Sequence, residues 1–242
     1  MHYPRVIAHR CGGALAPENT LAGLRLAAQL GCRAVEFDVM LSRDGVPVLM
    51  HDETLERTTD GHGAVAAHDV GQLLQLDAGV RHHSAFAGER IPTLAQALAL
   101  CADLGLWANV EIKPAAGHEV QTGAVVGAAL AVAWSGTSDR GVVSSFSTLA
   151  LGAARDAAPR LHYAWLVDGI PVDWQTLLPA LGCDALHCAA TTAAPLLASV
   201  AATGLPLACF TVDRPDEAAR LYALGVAAVF TDRPDRLAGR FI

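Results

Sequence analysis

Short apolar segments alternate with helical segments along most of this chain, and this alternation constrains the fold more than any other feature. From residue 107 onward, strand patterns of four to six residues are each followed by a helical pattern. The strands are predicted over residues 107–112, 142–145, 161–166, 185–188, 207–211 and 228–231, and the helices over 119–134, 147–157, 173–181, 193–203 and 215–224, before a helical tail. Because helices usually connect parallel strands, the pattern predicts a parallel sheet, either open or closed into an eight-stranded barrel.

The first hundred residues carry the same pattern with two irregularities. Strands are predicted over residues 5–8, 35–39 and 46–50, and a helix over 93–104. Asn19 is predicted as the N-cap of another helix, which continues to Leu30 and stops at Gly31. The first irregularity is that strand 46–50 follows a turn rather than a helix. The second is residues 53–90, which are rich in histidine and glycine, have little periodicity, and are interpreted as an insertion or lid over one end of the fold.

Chemically useful polar residues follow nearly every predicted strand. They are His9, Glu36 and Asp38, His51, Glu111 and Lys113, Ser144 and Ser145, Thr211 and Asp213, and Thr231 and Asp232. A barrel collects all its strand ends into one mouth, whereas an open sheet concentrates its site at one switch point. We therefore expect an α/β fold of the (β/α)8 TIM-barrel class, one domain over residues 1–242 with a short insertion after the third strand. Nine candidate strands compete for eight places, so either 46–50 or a strand near residue 161 or 185 lies outside the ring.

Composition argues against several classes of function. The formal net charge of -7, without a local Lys/Arg cluster, argues against binding of nucleic acid. Six cysteines without CxxC spacing, and no secretory signal, predict reduced thiols in a cytoplasmic protein. The longest Ala/Val-rich run, residues 123–134, is shorter than the roughly 20 residues that span a bilayer, so no membrane insertion is expected. The sequence is compatible with a homodimer but does not require one.

Two acidic residues on the strand at residues 35–39 constrain the chemistry. Side chains alternate along a strand, so Glu36 and Asp38 share one face while apolar side chains occupy the other. Both faces are expected to be buried, which would place two carboxylates about 7 Å apart away from water. Both cannot stay ionised there without a cation beside them.

A third carboxylate comes from Glu111, with Lys113 on the same face of its strand by alternation. Glu36, Asp38 and Glu111 at neighbouring strand ends form an all-oxygen site suited to one hard divalent cation, Mg2+ or Ca2+. Zinc is less suited, because no pair of cysteines lies nearby. The alternative is that each acidic residue forms a structural ion pair.

His9 and His51 lie on either side of the acidic pair in the sequence. Two histidines beside a metal site are best explained as a general acid and a general base, although the sequence does not assign the two roles. Cleavage of a phosphodiester requires both roles, together with positive charge near the phosphoryl oxygens, which Arg10 and Lys113 can supply. Asp52 is predicted to point away from His51, because neighbouring residues of a strand alternate.

Short motifs that carry these residues run almost from end to end of the chain. They are His9-Arg10 with Gly12-Gly13, Pro17-Glu18-Asn19-Thr20, Glu36-Phe37-Asp38, Asp44-Gly45 with His51-Asp52, Ile91-Pro92-Thr93-Leu94, Glu111-Ile112-Lys113, Ser144-Ser145-Phe146, Phe210-Thr211-Val212 and Thr231-Asp232. In this order and at this approximate spacing, they resemble the glycerophosphodiester phosphodiesterase family of the cytoplasmic bacterial type. The resemblance implies a (β/α)8 barrel that hydrolyses glycerophosphodiesters, such as glycerophosphocholine, to glycerol 3-phosphate and an alcohol.

The resemblance also implies roles for individual residues. These are metal ligation by Glu36, Asp38 and Glu111, acid/base catalysis by His9 and His51, and phosphate binding by Arg10 and Lys113. Phe146 and Phe210 are expected either to line the glycerol pocket or to belong to the core. Three residues depart from the family pattern and bear on substrate preference: Cys11 stands for a usual glycine, Phe210 for a tryptophan and Asp213 for an asparagine.

Other functions remain open on the sequence alone. The same fold could act on lysophospholipids or other phosphodiesters, which would require an apolar or membrane-facing rim. It could also be a non-catalytic phosphodiester-binding barrel, although the chain retains all five expected ligands and histidines. A lyase or isomerase that enolises its substrate on Mg2+ is a further alternative, which suits the two histidines and two cations less well.

Overall fold

The computed structural model describes residues 3–135, 138–192 and 194–241. Within these residues the backbone forms nine strands. They are β1 (Val6–Ala8), β2 (Ala34–Leu41), β3 (Pro47–Leu49), β4 (Trp107–Ile112), β5 (Gly141–Ser145), β6 (Tyr163–Val167), β7 (Ala185–Ala189), β8 (Leu207–Phe210) and β9 (Ala228–Thr231). Most of them agree with the predicted strands to within two residues at each end.

Eight of these strands close into a parallel ring. β1 pairs with β9 on one side and with β2 on the other, where Ile7 lies opposite Ala34. The ninth strand, β3, pairs antiparallel with β2, so that Val39 lies opposite Leu49 outside the ring. A short turn can join only antiparallel neighbours, since a parallel crossover needs a longer connection. The fold prediction is therefore confirmed, and the strand in excess is 46–50 rather than one near residue 161 or 185.

The described residues form nine α-helices, and those outside residues 53–90 cover the ring. The nine are α1 (Leu21–Gln29), α2 (Val70–Leu73), α3 (Leu94–Leu104), α4 (Glu119–Ala133), α5 (Thr148–Ala157), α6 (Trp174–Leu181), α7 (Ala194–Ala201), α8 (Pro215–Ala223) and α9 (Pro234–Leu237). Residue 193, the first residue of the helix predicted over 193–203, lies outside the described residues. The main apolar core lies between these helices and the outward faces of the strands. No helix in the described part of the chain is long and apolar enough to cross a bilayer.

The predicted cap of the first helix is wrong by one residue. Thr20, not Asn19, is the N-cap of α1, and its hydroxyl accepts a hydrogen bond from the Gly23 amide at 3.2 Å. Asn19 has a left-handed backbone conformation with φ of 57°. That conformation turns its side chain into the barrel mouth, where it bonds to Asp38.

The half of the barrel interior away from the C-terminal strand ends is filled by buried, mostly apolar side chains. Tyr3, Ile7, Trp107 and Phe230 belong to one buried cluster there. His187 joins them, with its Nε2 2.7 Å from the Tyr3 hydroxyl, and burial lowers the pKa of this imidazole to about 3. The histidine is therefore a neutral part of the interior.

Residues 53–90 pack beside β2 and β3 through a third apolar cluster. Leu55, Val65 and Leu73 from this segment are buried together with Met40 and Ile91. Apart from the single turn of α2 and two short 3-10 turns, the segment is irregular, as its weak periodicity indicated. Its packing brings the polar residues around Arg57 to the edge of the barrel mouth.

Candidate active site

Three carboxylates meet at the C-terminal ends of two adjacent strands. Glu36 and Asp38 leave β2 on its inner face, and Glu111 leaves β4 directly opposite Asp38. All three are buried, and one oxygen of each lies within 4.8 Å of one from each of the others. Burial, with the charge of Asp38, raises the pKa of Glu36 to about 7 and that of Glu111 to about 8. The positively charged side chains nearby therefore offset only part of the negative charge of these three carboxylates.

The triad fits a metal ion because two of its buried oxygens lack a hydrogen-bond donor among the described residues. Glu36 Oε1 and Glu111 Oε1 are buried without a hydrogen bond in the described part of the chain. Buried carboxylate oxygens are normally hydrogen-bonded or coordinate a cation. Oxygen donors of this kind suit a hard divalent ion. The three residues can therefore hold one metal ion.

Neighbouring groups fix the orientation of the two β2 carboxylates. The Arg10 amide donates to Glu36 Oε2 at 2.8 Å, and Asn19 Nδ2 donates to Asp38 Oδ2 at 2.9 Å. The Asp38 amide in turn donates to Asn19 Oδ1 at 3.0 Å. Sequence reasoning missed this use of Asn19, because a helix cap was the simpler local explanation for an asparagine before α1.

His9 is held by a carboxylate from the other end of the chain. It follows β1, and its Nδ1 lies 2.7 Å from Asp232 Oδ1, just beyond β9. A carboxylate only accepts, so Nδ1 carries a proton and Nε2 faces Glu36 Oε2 at 3.9 Å. Although burial opposes the charge, the bond to Asp232 and the charge of Glu36 raise the pKa of His9 to about 9. Asp213 supports this arrangement by accepting a hydrogen bond from the Asp232 amide at 2.8 Å.

His51 is held by the residue next to it, against the sequence prediction. Its Nδ1 lies 2.6 Å from Asp52 Oδ1, because β3 ends at Leu49 and strand alternation no longer applies at this point. Its Nε2 lies 2.7 Å from Lys113 Nζ. An ammonium group only donates, so this ring nitrogen accepts and is unprotonated. Burial lowers the pKa of His51, and the nearby charges of Arg10 and Lys113 act in the same direction.

One cavity of about 250 Å3 brings together the acidic triad, both imidazoles and the two cationic side chains. It is lined by His9, Arg10, Glu36, Asp38, His51, Asn109, Glu111, Lys113, Phe146, Leu166, Phe210, Thr211 and Phe230. The rings of Phe146 and Phe210 meet edge to face, with centroids 5.9 Å apart. A larger cavity of about 850 Å3 at the opposite end of the barrel has neither a carboxylate nor a histidine among its described lining residues. The chemistry is therefore concentrated at the C-terminal mouth.

The sequence matches the model of the Glycerophosphoryl diester phosphodiesterase family over residues 9–236. The chain belongs to this family. A glycerophosphodiester phosphodiesterase of Caldanaerobacter subterraneus subsp. tengcongensis is 35% identical, over 96% of this chain and 95% of that protein. The family consists of phosphoric diester hydrolases, and the present chain is an enzyme of that class.

Solved structures of family members share the barrel. A phosphodiesterase of Oleispira antarctica, solved in complex with the product sn-glycerol-3-phosphate, superposes with a TM-score of 0.91. It is 39% identical to this chain, and the match covers 96% of this chain and 94% of the other. A glycerophosphodiester phosphodiesterase of Agrobacterium tumefaciens is 26% identical with a TM-score of 0.81, over 98% of this chain and all (100%) of the other.

Proposed function

We propose that this enzyme hydrolyses glycerophosphodiesters to glycerol 3-phosphate and an alcohol by the combined action of two histidines. The observation that carries the proposal is one cavity shared by the acidic triad and two imidazoles, each bonded to a carboxylate through Nδ1. A carboxylate at Nδ1 leaves Nε2 of each ring directed at the substrate side. The Oleispira antarctica phosphodiesterase, with its glycerol 3-phosphate product, supports the choice of substrate class.

Glu36, Asp38 and Glu111 are proposed to hold one divalent ion, Mg2+ or Ca2+. When bound there, such an ion would offset most of the negative charge of the triad and would withdraw charge from the phosphoryl oxygens. Arg10 and Lys113, which lie within 4 Å of triad carboxylates, are proposed to bind the remaining phosphoryl oxygens. Both cations line the cavity, so neither has to move far to reach a substrate phosphate.

The hydrogen bonds favour His51 as the base and His9 as the acid. His51 Nε2 accepts a hydrogen bond from Lys113 and is therefore unprotonated, and its lone pair becomes free to take the proton of the attacking oxygen when the Lys113 ammonium turns to the substrate phosphate. His9 is protonated at neutral pH, because its pKa lies near 9, and it can donate the Nε2 proton to the leaving alkoxide. One proton is therefore taken up and one released in each turnover, and the pair is reset by exchange with water.

The aromatic residues are proposed to recognise the glycerol side of the substrate. Phe146 and Phe210 present apolar surface to the cavity. Carbon-bound hydrogens of glycerol can pack on such rings while its hydroxyls remain available for hydrogen bonds. Lysophospholipids are a second candidate, because Phe146 lines the cavity and is 40% exposed, which provides apolar surface at its rim.

We also propose a cytoplasmic location. All six cysteines are free thiols and all are buried, an arrangement typical of a reducing compartment.

The function is tested by coupled detection of glycerol 3-phosphate from a panel of glycerophosphodiesters, with Mg2+, with Ca2+ and with EDTA. Release from at least one diester, lost in EDTA, is the expected result. Parallel assays with lysophosphatidylcholine as substrate test the second candidate, action on lysophospholipids. Absence of glycerol 3-phosphate from every diester under all metal conditions would refute the proposal.

A further inference from the structure

Arg57, in the inserted segment, forms hydrogen bonds to two carboxylates at once. Its Nε and Nη2 donate to Asp52 at 2.5 and 3.0 Å. Its Nη1 and Nη2 donate to the two oxygens of Glu18 at 2.7 Å each. One planar guanidinium therefore joins a residue that follows β3 to a residue that precedes α1.

Each of these carboxylates is also bonded to a residue that lines the cavity. Asp52 Oδ1 accepts the Nδ1 proton of His51 at 2.6 Å. Glu18 accepts from Arg10 Nη1 at 3.2 and 3.3 Å. Arg57 itself is not among the residues that line the cavity. It is thus one hydrogen-bonded residue away from the proposed base and from a proposed phosphate ligand.

We propose that Arg57 is a positioning residue that sets the orientation of the His51 ring through Asp52 and of the Arg10 side chain through Glu18. The proposal rests on the function proposed above for His51 and Arg10. Among the described hydrogen bonds, the Asp52 carboxylate has two partners, His51 and Arg57. Without Arg57 it is held by His51 alone and can rotate towards water. The His51 ring would then lose its fixed orientation relative to the attacking oxygen.

The exposure of Arg57 separates this role from a purely stabilising one. Its side chain is 47% exposed, and ion pairs at that exposure contribute little to folding. Arg43 is the control, since it makes with Asp69 the same kind of two-bond pair that Arg57 makes with each of its two carboxylates, and its side chain is 56% exposed. Asp69, however, caps the short helix α2 and has no contact with the cavity. Loss of either arginine should affect stability similarly, whereas only loss of Arg57 should affect turnover.

The first test compares Arg57→Met with its matched control Arg43→Met. We expect kcat of Arg57→Met to fall about tenfold, in the range typical of coupled hydrogen-bonded neighbours, with similar unfolding temperatures for the two variants. Arg57→Lys should lose most of the same activity, because a lysine keeps the charge but cannot bind two carboxylates in one plane. A normal kcat in Arg57→Met would contradict the proposal and indicate that Arg57 has no role in turnover. A change confined to KM would also contradict it and would indicate direct substrate binding.

The second test asks whether Arg57 acts through Asp52. In a double-mutant cycle, Arg57→Met should cost little kcat once Asp52→Asn is present, because the chain of contacts is already broken. If the two losses of kcat multiply fully in the double variant, Arg57 does not act through Asp52. The corresponding cycle with Glu18→Gln examines the Arg10 branch in the same way.

A third readout does not depend on activity. The Nδ1 proton of His51, shared with Asp52, should give a downfield imidazole resonance by nuclear magnetic resonance, assigned by its loss in His51→Gln. We expect this resonance to shift or broaden in Arg57→Met and to remain in place in Arg43→Met. An unchanged resonance refutes the positioning role, whereas an inactive wild-type protein refutes the proposed function and leaves this measurement valid.

Discussion

The two histidines of the mouth have the same type of partner but opposite electrostatic surroundings. Each directs Nδ1 at an aspartate, Asp232 for His9 and Asp52 for His51. The pKa of His9 is nevertheless raised to about 9, whereas that of His51 is lowered. An aspartate partner alone therefore does not decide whether a histidine is charged.

Burial disfavours the charged form of both rings and is the main cause of the lowered pKa of His51, whereas the bond to Asp232 and the charge of Glu36 outweigh burial at His9. The groups that face the opposite ring nitrogens act in the same two directions. His9 Nε2 lies 3.9 Å from the Glu36 carboxylate, whose negative charge favours a protonated ring. His51 Nε2 lies 2.7 Å from the Lys113 ammonium, whose positive charge favours a neutral ring. Two similar side chains thus acquire complementary states from burial and from the charges across the cavity, which is the separation that acid/base catalysis needs.

The largest expected effect comes from replacing Asp38, a carboxylate of the triad that both histidines face. Asp38→Asn should reduce divalent-ion binding and turnover to background, because the triad loses the ligand held by Asn19 and adjacent to Lys113. Calorimetric titration with Mg2+ and Ca2+, alongside the coupled assay, measures both. Asp216→Asn, which breaks a surface pair with Arg214, is the control and should change neither. Normal turnover of Asp38→Asn would remove the metal from the proposal.

Deleting each imidazole tests the two proposed roles separately. His9→Ala and His51→Ala should each lower kcat by about 100- to 10,000-fold while retaining metal binding. The exposed His118 provides the control variant His118→Ala, which should be unaffected. A near-normal rate in either active-site variant would exclude that histidine from the acid/base pair.

The pH profiles of the residual activities sharpen the comparison further. A base must be unprotonated, so His51 should set the acid limb of kcat/KM, and an acid must be protonated, so His9 should set the alkaline limb. We expect His51→Ala to lose the acid limb and His9→Ala to lose the alkaline limb. Loss of the opposite limbs would reverse the assignment of the two roles.

Replacing the aspartates gives a smaller effect. Asp232→Asn and Asp52→Asn should each reduce kcat by about 10- to 100-fold, because each orients a functional imidazole. Asp232→Asn also removes a charge that raises the pKa of His9, so its alkaline limb should move to lower pH. An alkaline limb that stays in place in this variant would show that Asp232 does not control the charge of His9.

The smallest expected effect concerns stability without metal. Glu36 and Glu111 have raised pKa values of about 7 and 8 in the folded protein, above an ordinary value of 4.5. Their contribution to the free energy of unfolding is fully present below pH 4.5 and is lost as the pH rises towards 8. The loss occurs because both carboxylates ionise while buried in the folded state, whereas in the unfolded chain they ionise in water. In EDTA, the unfolding temperature should fall by about 5 °C or more between pH 5 and pH 8. With a saturating divalent ion, calorimetry should show a smaller fall, and an equal fall would contradict metal binding by this triad.

Local patterns accounted for the barrel and for the acidic triad. Alternation with period two directed Glu36 and Asp38 to one face of β2, and the same rule applied to Glu111 on β4, because regular strands impose it. The sequence of strands and helices likewise predicted the ring. It left one strand in excess, since the pairing direction of β3 depends on the turn before it.

Features outside regular strands could not be predicted in the same way. The rule of alternation failed for Asp52, because β3 had already ended, and the helix-cap rule failed for Asn19, because a left-handed backbone turned that side chain into the mouth. Both errors occurred outside regular helices and strands: Asp52 bonds to its neighbour His51 beyond the end of β3, and Asn19 bonds to Asp38 before α1 begins.

The sequence by itself determined which residue types are available at the strand ends and which face of each strand they occupy, because these depend on local geometry. Only the tertiary structure decided the partners of those residues and hence their charges. Asp232 reaches His9 across 223 positions of the chain, and Lys113 reaches His51 across 62. Pairing of β1 with β9, and of β3 and β4 with the two sides of β2, brings these groups within hydrogen-bonding distance. Electrostatic effects on a pKa depend on that distance rather than on separation along the chain.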